Sequence, residues 1–196
     1  MVYRISKPKM SVDALDLDTI SIANKIAETS STSLNDIIKI LMSQAYSNTS
    51  FTSLFSGSFD CEFNQEALSD DFDINVLGTF VVFKPSAFEI LKPLIQDFGE
   101  FIEVKTNRGL MILFNLLTFG NEDISLTEVK YSDGFEHGLH SLVFIESDVK
   151  NKPIFKSKME GANLIYCNDD FFNVVKNNNL TGVEFYKDLL SIFPTG

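Results

Sequence analysis

Residues 164–185, LIYCNDDFFNVVKNNNLTGVEF, constrain the fold more than any other stretch of the chain. The run 164–167 is short, apolar and strand-like. Asn168 and Asp169 then offer a helix N-cap, and the aspartates sit where the helix dipole favours negative charge. Phe171, Val174 and Val175 fall on one helical face. Asn177, Asn178 and Asn179 stop the helix, Gly182 supplies a turn, and Val183, Glu184 and Phe185 begin a second extended run.

The same plan occurs upstream. Residues 80–83, FVVF, form an apolar strand, and Pro85 suits the first position of a helix. Phe88, Leu91, Leu94, Ile95 and Phe98 recur at helical spacing, with Pro93 expected to kink or interrupt them. Gly99 ends the helix, and residues 101–104 lead away as a strand. The two stretches read as two copies of one strand-helix-strand unit, with Phe88 and Leu91 matched to Phe171 and Val174 or their neighbours. The fold class that follows is α+β, a mixed sheet of short strands with about three helices.

The rest of the chain fits that class. Residues 2–5 predict an opening strand, whereas residues 11–27 fit neither period. Residues 34–46 predict a helix, with Ser33 and Asp36 as a short-acid capping box. Residues 47–58, rich in Ser and Thr, predict a loop into a strand over 59–63. Residues 110–114 predict a strand buried on both sides, and residues 124–129 a half-exposed strand. Residues 141–145 predict another strand, 153–156 a short extended piece, and 186–193 a helical turn. Residues 1–58 match no recognisable unit, so a boundary is placed there, with residues 59–196 as an α+β domain or with one domain over the whole chain.

Charge narrows the function. The chain has 196 residues and a formal net charge of −11, which argues against nucleic-acid binding, since phosphate contacts need Lys and Arg. Between Lys39 and Lys84 there is no Lys or Arg, while Asp60, Glu62, Glu66, Asp70, Asp71 and Asp73 all fall there. Such an interval makes a negative field that a cationic protein surface could meet, or a solvated acidic loop. Lys150, Lys152, Lys156 and Lys158 read as a solvated turn.

No catalytic constellation stands out. His137 and His140 are the two histidines, and Gly138 with the Asp133–Gly134 turn places them in a loop running into a strand, a poor setting for a metal or a general base. Cys61 and Cys167 read as small core residues. There is no Gly-rich phosphate loop, nucleophile elbow or paired CxxC. No cofactor and no metal are expected. No apolar run follows Arg4, Lys7 and Lys9, so neither a signal peptide nor a membrane span is expected, and the expected location is cytoplasmic.

Residues 153–185 resemble the C-terminal segment of a bacterial family of immunity proteins from polymorphic toxin systems. Phe155 matches its strand phenylalanine, Leu180-Thr181-Gly182 its turn and Phe185 its closing aromatic. The unit at Phe80 and the run 124–128 resemble the family's middle section. The resemblance implies an inhibitor that binds a cognate toxin domain, without naming that target; the acidic charge favours a basic one, such as a nuclease. The acidic residues from Asp60 to Asp73 are then the candidate toxin-binding residues. The competing expectations are an enzyme, such as a hydrolase or a factor that reverses a toxin's modification, and a structural self-assembling protein.

Overall fold

Residues 1–9, 11–43, 46–55, 57–66, 72–161 and 164–190 are described by the computed structural model. In chain order they form β1 (Val2–Ser6), α1 (Thr19–Thr29), α2 (Leu34–Met42), β2 (Phe59–Asp60), β3 (Ile74–Leu77), β4 (Phe80–Phe83), α3 (Pro85–Ile95), β5 (Gly99–Thr106), β6 (Gly109–Leu116), β7 (Glu128–Ser132), β8 (Phe135–Ser141), α4 (Glu146–Val149), β9 (Ile154–Phe155), β10 (Ile165–Asn168), α5 (Asp169–Asn177) and β11 (Glu184–Tyr186). One sheet has the order β2-β5-β6-β4-β3, a second β11-β1-β10-β9, and β7 pairs with β8 alone. The class is α+β.

The two strand-helix-strand stretches have the same topology. In the first, β4 and β5 run parallel with the antiparallel β6 between them. In the second, β10 and β11 run parallel with the antiparallel β1 between them. The outer partners correspond too, since β3 lies antiparallel to β4 as β9 does to β10. The order β5-β6-β4-β3 therefore repeats as β11-β1-β10-β9. One difference separates the copies: the middle strand of the first follows directly in sequence, and that of the second comes from the N-terminus.

Register carries the match to single residues. Aligning the helix caps Lys84 and Asn168 makes Phe83 equivalent to Cys167 and Val81 to Ile165. Their cross-strand partners, Ile112 with Tyr3 and Phe114 with Ile5, are then equivalent as well. All eight lie in one buried core, with Ala87 and Leu91 of α3 and Phe171 and Val175 of α5. The helical equivalents are therefore Ala87 with Phe171 and Leu91 with Val175, one position away from the expected pairs. Phe88 and Val174 are only half-buried. A small residue in one copy answers a large one in the other, which lets α3 and α5 pack against each other.

A second core lies on the other face of the larger sheet. Because β6 is buried on both faces, Met111 and Leu113 join Phe51, Phe55, Phe59 and Phe63 there, beneath α1 and α2. Helix α2 starts at Ser33, whose hydroxyl accepts from the Asp36 amide and donates to its carboxylate, as the capping pattern predicts. Helix α1 occupies the stretch that fits no period; its N-cap Asp18 accepts from the Ser21 amide at 2.7 Å. The first 58 residues share sheets and cores with the remainder: β1 lies between β10 and β11 in the second sheet, and residues 50–52 are tied to Glu100. The Glu100 carboxylate accepts from Ser50, from the amides of Phe51 and Thr52, from the Thr52 hydroxyl and from Asn115. Burial pushes that carboxyl up, but bonds from Thr52, Asn115, Phe51 and Ser50 outweigh it and hold it below the usual value.

Several expectations are corrected. There are five helices among the described residues, not about three. Residues 124–126 form a turn with exposed Ile124 and Leu126, not a strand, because the Asp123 carboxylate takes the Ser125 amide and hydroxyl. The following strand is Phe135–Ser141, not residues 141–145. Helix α3 passes through Pro93, which is exposed, and a 3-10 turn at Gln96–Phe98 precedes β5. Helix α2 ends at Met42, and residues 44–45 lie outside the described residues. Residues 187–190 follow β11 as bends, not a helical turn; 191–193 lie outside the described residues. Phe83, Leu91, Phe114, Phe155 and Ile165 are fully buried, while Phe185 is half-buried. Lys156 is buried as well, donating to the Ser47 carbonyl at 2.8 Å, and burial pulls its ammonium down to about 8.

The Leu180-Thr181-Gly182 turn joins the two copies. The Asp73 and Ile74 amides donate to the Thr181 carbonyl, and the Asp73 carboxylate accepts from the Thr181 amide and hydroxyl, both at 2.9 Å. Gly182 has φ of 96°, and a Cβ there would meet the Ile74 carbonyl oxygen at 2.1 Å. Only glycine permits both the conformation and the approach. We expect Asp73→Ala and Thr181→Ala each to destabilise the protein by roughly 1–3 kcal/mol. Chemical denaturation of the two single variants and the double should show strong non-additivity, the double costing little more than either; additive losses would mean that the clamp carries no coupling.

Candidate functional site

The fold gathers part of the acidic interval and adds residues the sequence reading did not single out. Phe63 pairs with Leu15 in an isolated antiparallel bridge, supported by bonds from the Asp16 amide to the Glu62 carbonyl and from the Asn64 amide to the Ala14 carbonyl. Leu15 and Phe63 point into the core. Alternation then turns their neighbours Asp16 and Glu62 outward, directly opposite one another, and both are exposed. Like charges facing each other across a strand pair oppose folding. Among the described residues neither carboxylate is in an ion pair: Asp13 pairs with Lys7, and Asp60 with Lys25 at 3.8 Å.

A cleft of about 390 Å³ opens beside this pair. Asp13, Asp16 and Asp18 stand on its rim, with Asn64, the turn between β3 and β4, and the end of α2. Leu15, Leu17, Ile22 and Leu41 are buried residues of its wall, so the floor is apolar. Ser21 holds Asp18 below the usual carboxylate value through its amide and hydroxyl. The negative field reaches Cys61, whose thiol is pushed up to about 11 by burial and by Asp16 and Asp60. That thiol is therefore protonated at neutral pH and a poor nucleophile. Cys61 and Cys167 are both free and lie against different cores.

The expected binding residues separate into three groups. Asp60, Glu62 and Glu66 are exposed and lie on or next to the 59–66 segment that carries the bridge. Asp73 does not belong with them: its carboxylate is engaged by Thr181, so it is a structural clamp. Asp70 and Asp71 lie outside the described residues. The acids missed in the sequence are Asp13, Asp16 and Asp18. Their spacing ahead of an apolar helix was a capping signal, but only the Leu15–Phe63 bridge brings them to Glu62.

Elsewhere the chemistry is sparse. His137 and His140 lie on β8, both exposed, with Gly138 between them at φ 84°. No group of three or more His, Cys, Asp or Glu side chains suited to a metal gathers among the described residues. No described helix is long and apolar enough to cross a membrane. Comparison with protein-family models and with curated proteins finds no match. The arrangement suits recognition of a cationic surface: an apolar floor for an aliphatic stem, a carboxylate rim for its charged head.

A residue kept for binding at the expense of stability should be improved by removing it. We expect Asp16→Asn to raise stability by about 0.2–1 kcal/mol, by relieving the repulsion with Glu62. Thermal denaturation at low ionic strength measures this. A loss of stability would show that Asp16 makes a favourable contact, and the like-charge account would fail.

Proposed function

We propose that the protein is an immunity protein: a cytoplasmic inhibitor that binds a basic toxin domain and blocks it without catalysis. The observation that carries the reading is Asp16, on the rim of the acidic cleft and facing Glu62 across the bridge with no ion-pair partner for either among the described residues, in a chain of net charge −11. An immunity protein must capture its toxin quickly, and a concentrated negative field raises the encounter rate with a cationic partner. The resemblance of residues 153–185 to immunity proteins supports the same reading. A nuclease toxin, whose cleft is basic because it holds phosphate, is the partner chemistry that such a surface fits best.

The test is a stopped-flow measurement of association with a basic toxin domain encoded by a gene neighbouring this one; a neighbourhood without such a gene counts against the reading. Reversing Asp16 and Glu62 to Lys should slow association at low salt by about 10- to 100-fold, with the difference shrinking as salt screens the field. The same variant should protect cells less well against the toxin. If the wild-type chain binds and the variant associates at the wild-type rate, this face is not the interface. Failure of the wild-type chain to bind would remove the immunity reading.

A further inference from the structure

The β7–β8 hairpin belongs to neither sheet. A two-stranded ribbon by itself is marginal in water. Val129 and Leu139, paired across its base, are half-buried, and Leu139 packs against a small core around Phe144 and Tyr166. Beyond them the ribbon projects with its residues exposed. Tyr131 is 61% and Phe135 78% exposed, and Ile124 and Leu126 at the root are 79% and 58% exposed. Four large apolar side chains within twelve residues are far from the scattered single exposures that need no explanation.

The two edges of the ribbon differ. Glu128 pairs with Ser141, Val129 with Leu139 and Tyr131 with Glu136, so β8 carries an extra residue in each interval. Bulges of this kind twist an edge and close it to further pairing. The other edge, β7, carries no extra residue over Glu128–Ser132, and among the described residues no strand is hydrogen-bonded to it on that side. The hairpin thus has one closed edge and one open edge, with Tyr131 on the open strand; Phe135, which pairs with Ser132, lies at the turn on the opposite face of the ribbon.

Charge selects the occupant. Around the two aromatic residues stand Glu128, Asp133 and Glu136 against one cation, Lys130. A second copy of this chain would bring the same excess of carboxylates against itself. A cationic partner would not. We infer that β7 is a docking edge for an extended segment of the basic toxin domain, which pairs with Glu128–Ser132 while the domain grips the ribbon from both sides, burying Tyr131 on one face and Phe135 on the other against apolar surface rimmed by Lys or Arg. The inference rests on the immunity reading and divides the work. The acidic cleft sets how fast the partner arrives, and the aromatic ribbon sets how long it stays.

The experiment uses the whole chain and the same candidate toxin domain. The double variant Tyr131→Ala with Phe135→Ala should raise the dissociation rate about 100-fold and leave the association rate within about threefold. Its melting temperature should match the wild type, because both side chains are exposed. Hydrogen exchange of the wild-type complex should show new protection of backbone amides in β7. Wild-type dissociation by the double variant, with no protection in β7, overturns the docking edge while the immunity reading stands. If the wild-type chain does not bind the toxin at all, both fall. A free protein that is dimeric, and monomeric after the double substitution, assigns the ribbon to a second copy and also overturns the proposal.

Discussion

The insertion of β1 between β10 and β11 is the contact on which the rest of the structure depends. Neither of those strands pairs with the other, so without β1 the second sheet loses its centre. Tyr3 and Ile5 point from β1 into the core shared by both helices and both sheets, and Tyr3 stacks on Phe172 at 4.5 Å. On the opposite face Arg4 occupies the position equivalent to buried Leu113 of the first copy and lies over the Tyr186 ring at 5.0 Å. A guanidinium over an aromatic face is a favourable cation–π contact. The chain therefore closes on itself: its first strand completes a unit begun 150 residues later.

This closure explains what the sequence shows and what it hides. The strand-cap-helix-turn pattern of residues 80–104 and 164–185 is local, so its chemistry was legible: Asn168 caps α5 by accepting from the Asp170 and Phe171 amides, and Pro85 opens α3. The missing middle strand of the second unit was not legible, because a short run such as VYRIS carries no information about a partner far along the chain. Helix α1 was hidden for a related reason. Its buried residues Ile22, Ala23 and Ile26 make a narrow stripe, and exposed Ile20 breaks the pattern. Tertiary packing, not periodicity, decides that segment.

The acidic surface was half legible. A base-free interval is visible in one dimension, but its members scatter in three. Asp73 is drawn into the clamp that carries the Leu180-Thr181-Gly182 motif, so one acid in the interval serves the fold. Asp16, outside the interval, joins Glu62 through the Leu15–Phe63 bridge. The segment of family resemblance is thus accounted for by architecture: the motif's threonine and glycine hold one copy of the unit to the other. The surfaces proposed for binding lie outside that segment, on residues 13–18, 60–66 and 124–136. A scaffold with such a division keeps its joints fixed while its recognition surfaces remain free to vary.

Both sheets are copies of one unit, the second completed by the N-terminal strand. A circular permutation tests it most directly. Residues 1–7 are removed from the N-terminus and joined by a short Gly/Ser linker to the C-terminus, so that the middle strand follows β11 as β6 follows β5. The account predicts that the permuted chain folds cooperatively, with a melting temperature within about 5–10 °C of the natural chain, a change of a kcal/mol or two, and that a chain simply lacking residues 1–7 does not fold cooperatively. A permuted chain as disrupted as the truncated one, or a truncated chain that melts like the natural protein, would contradict it.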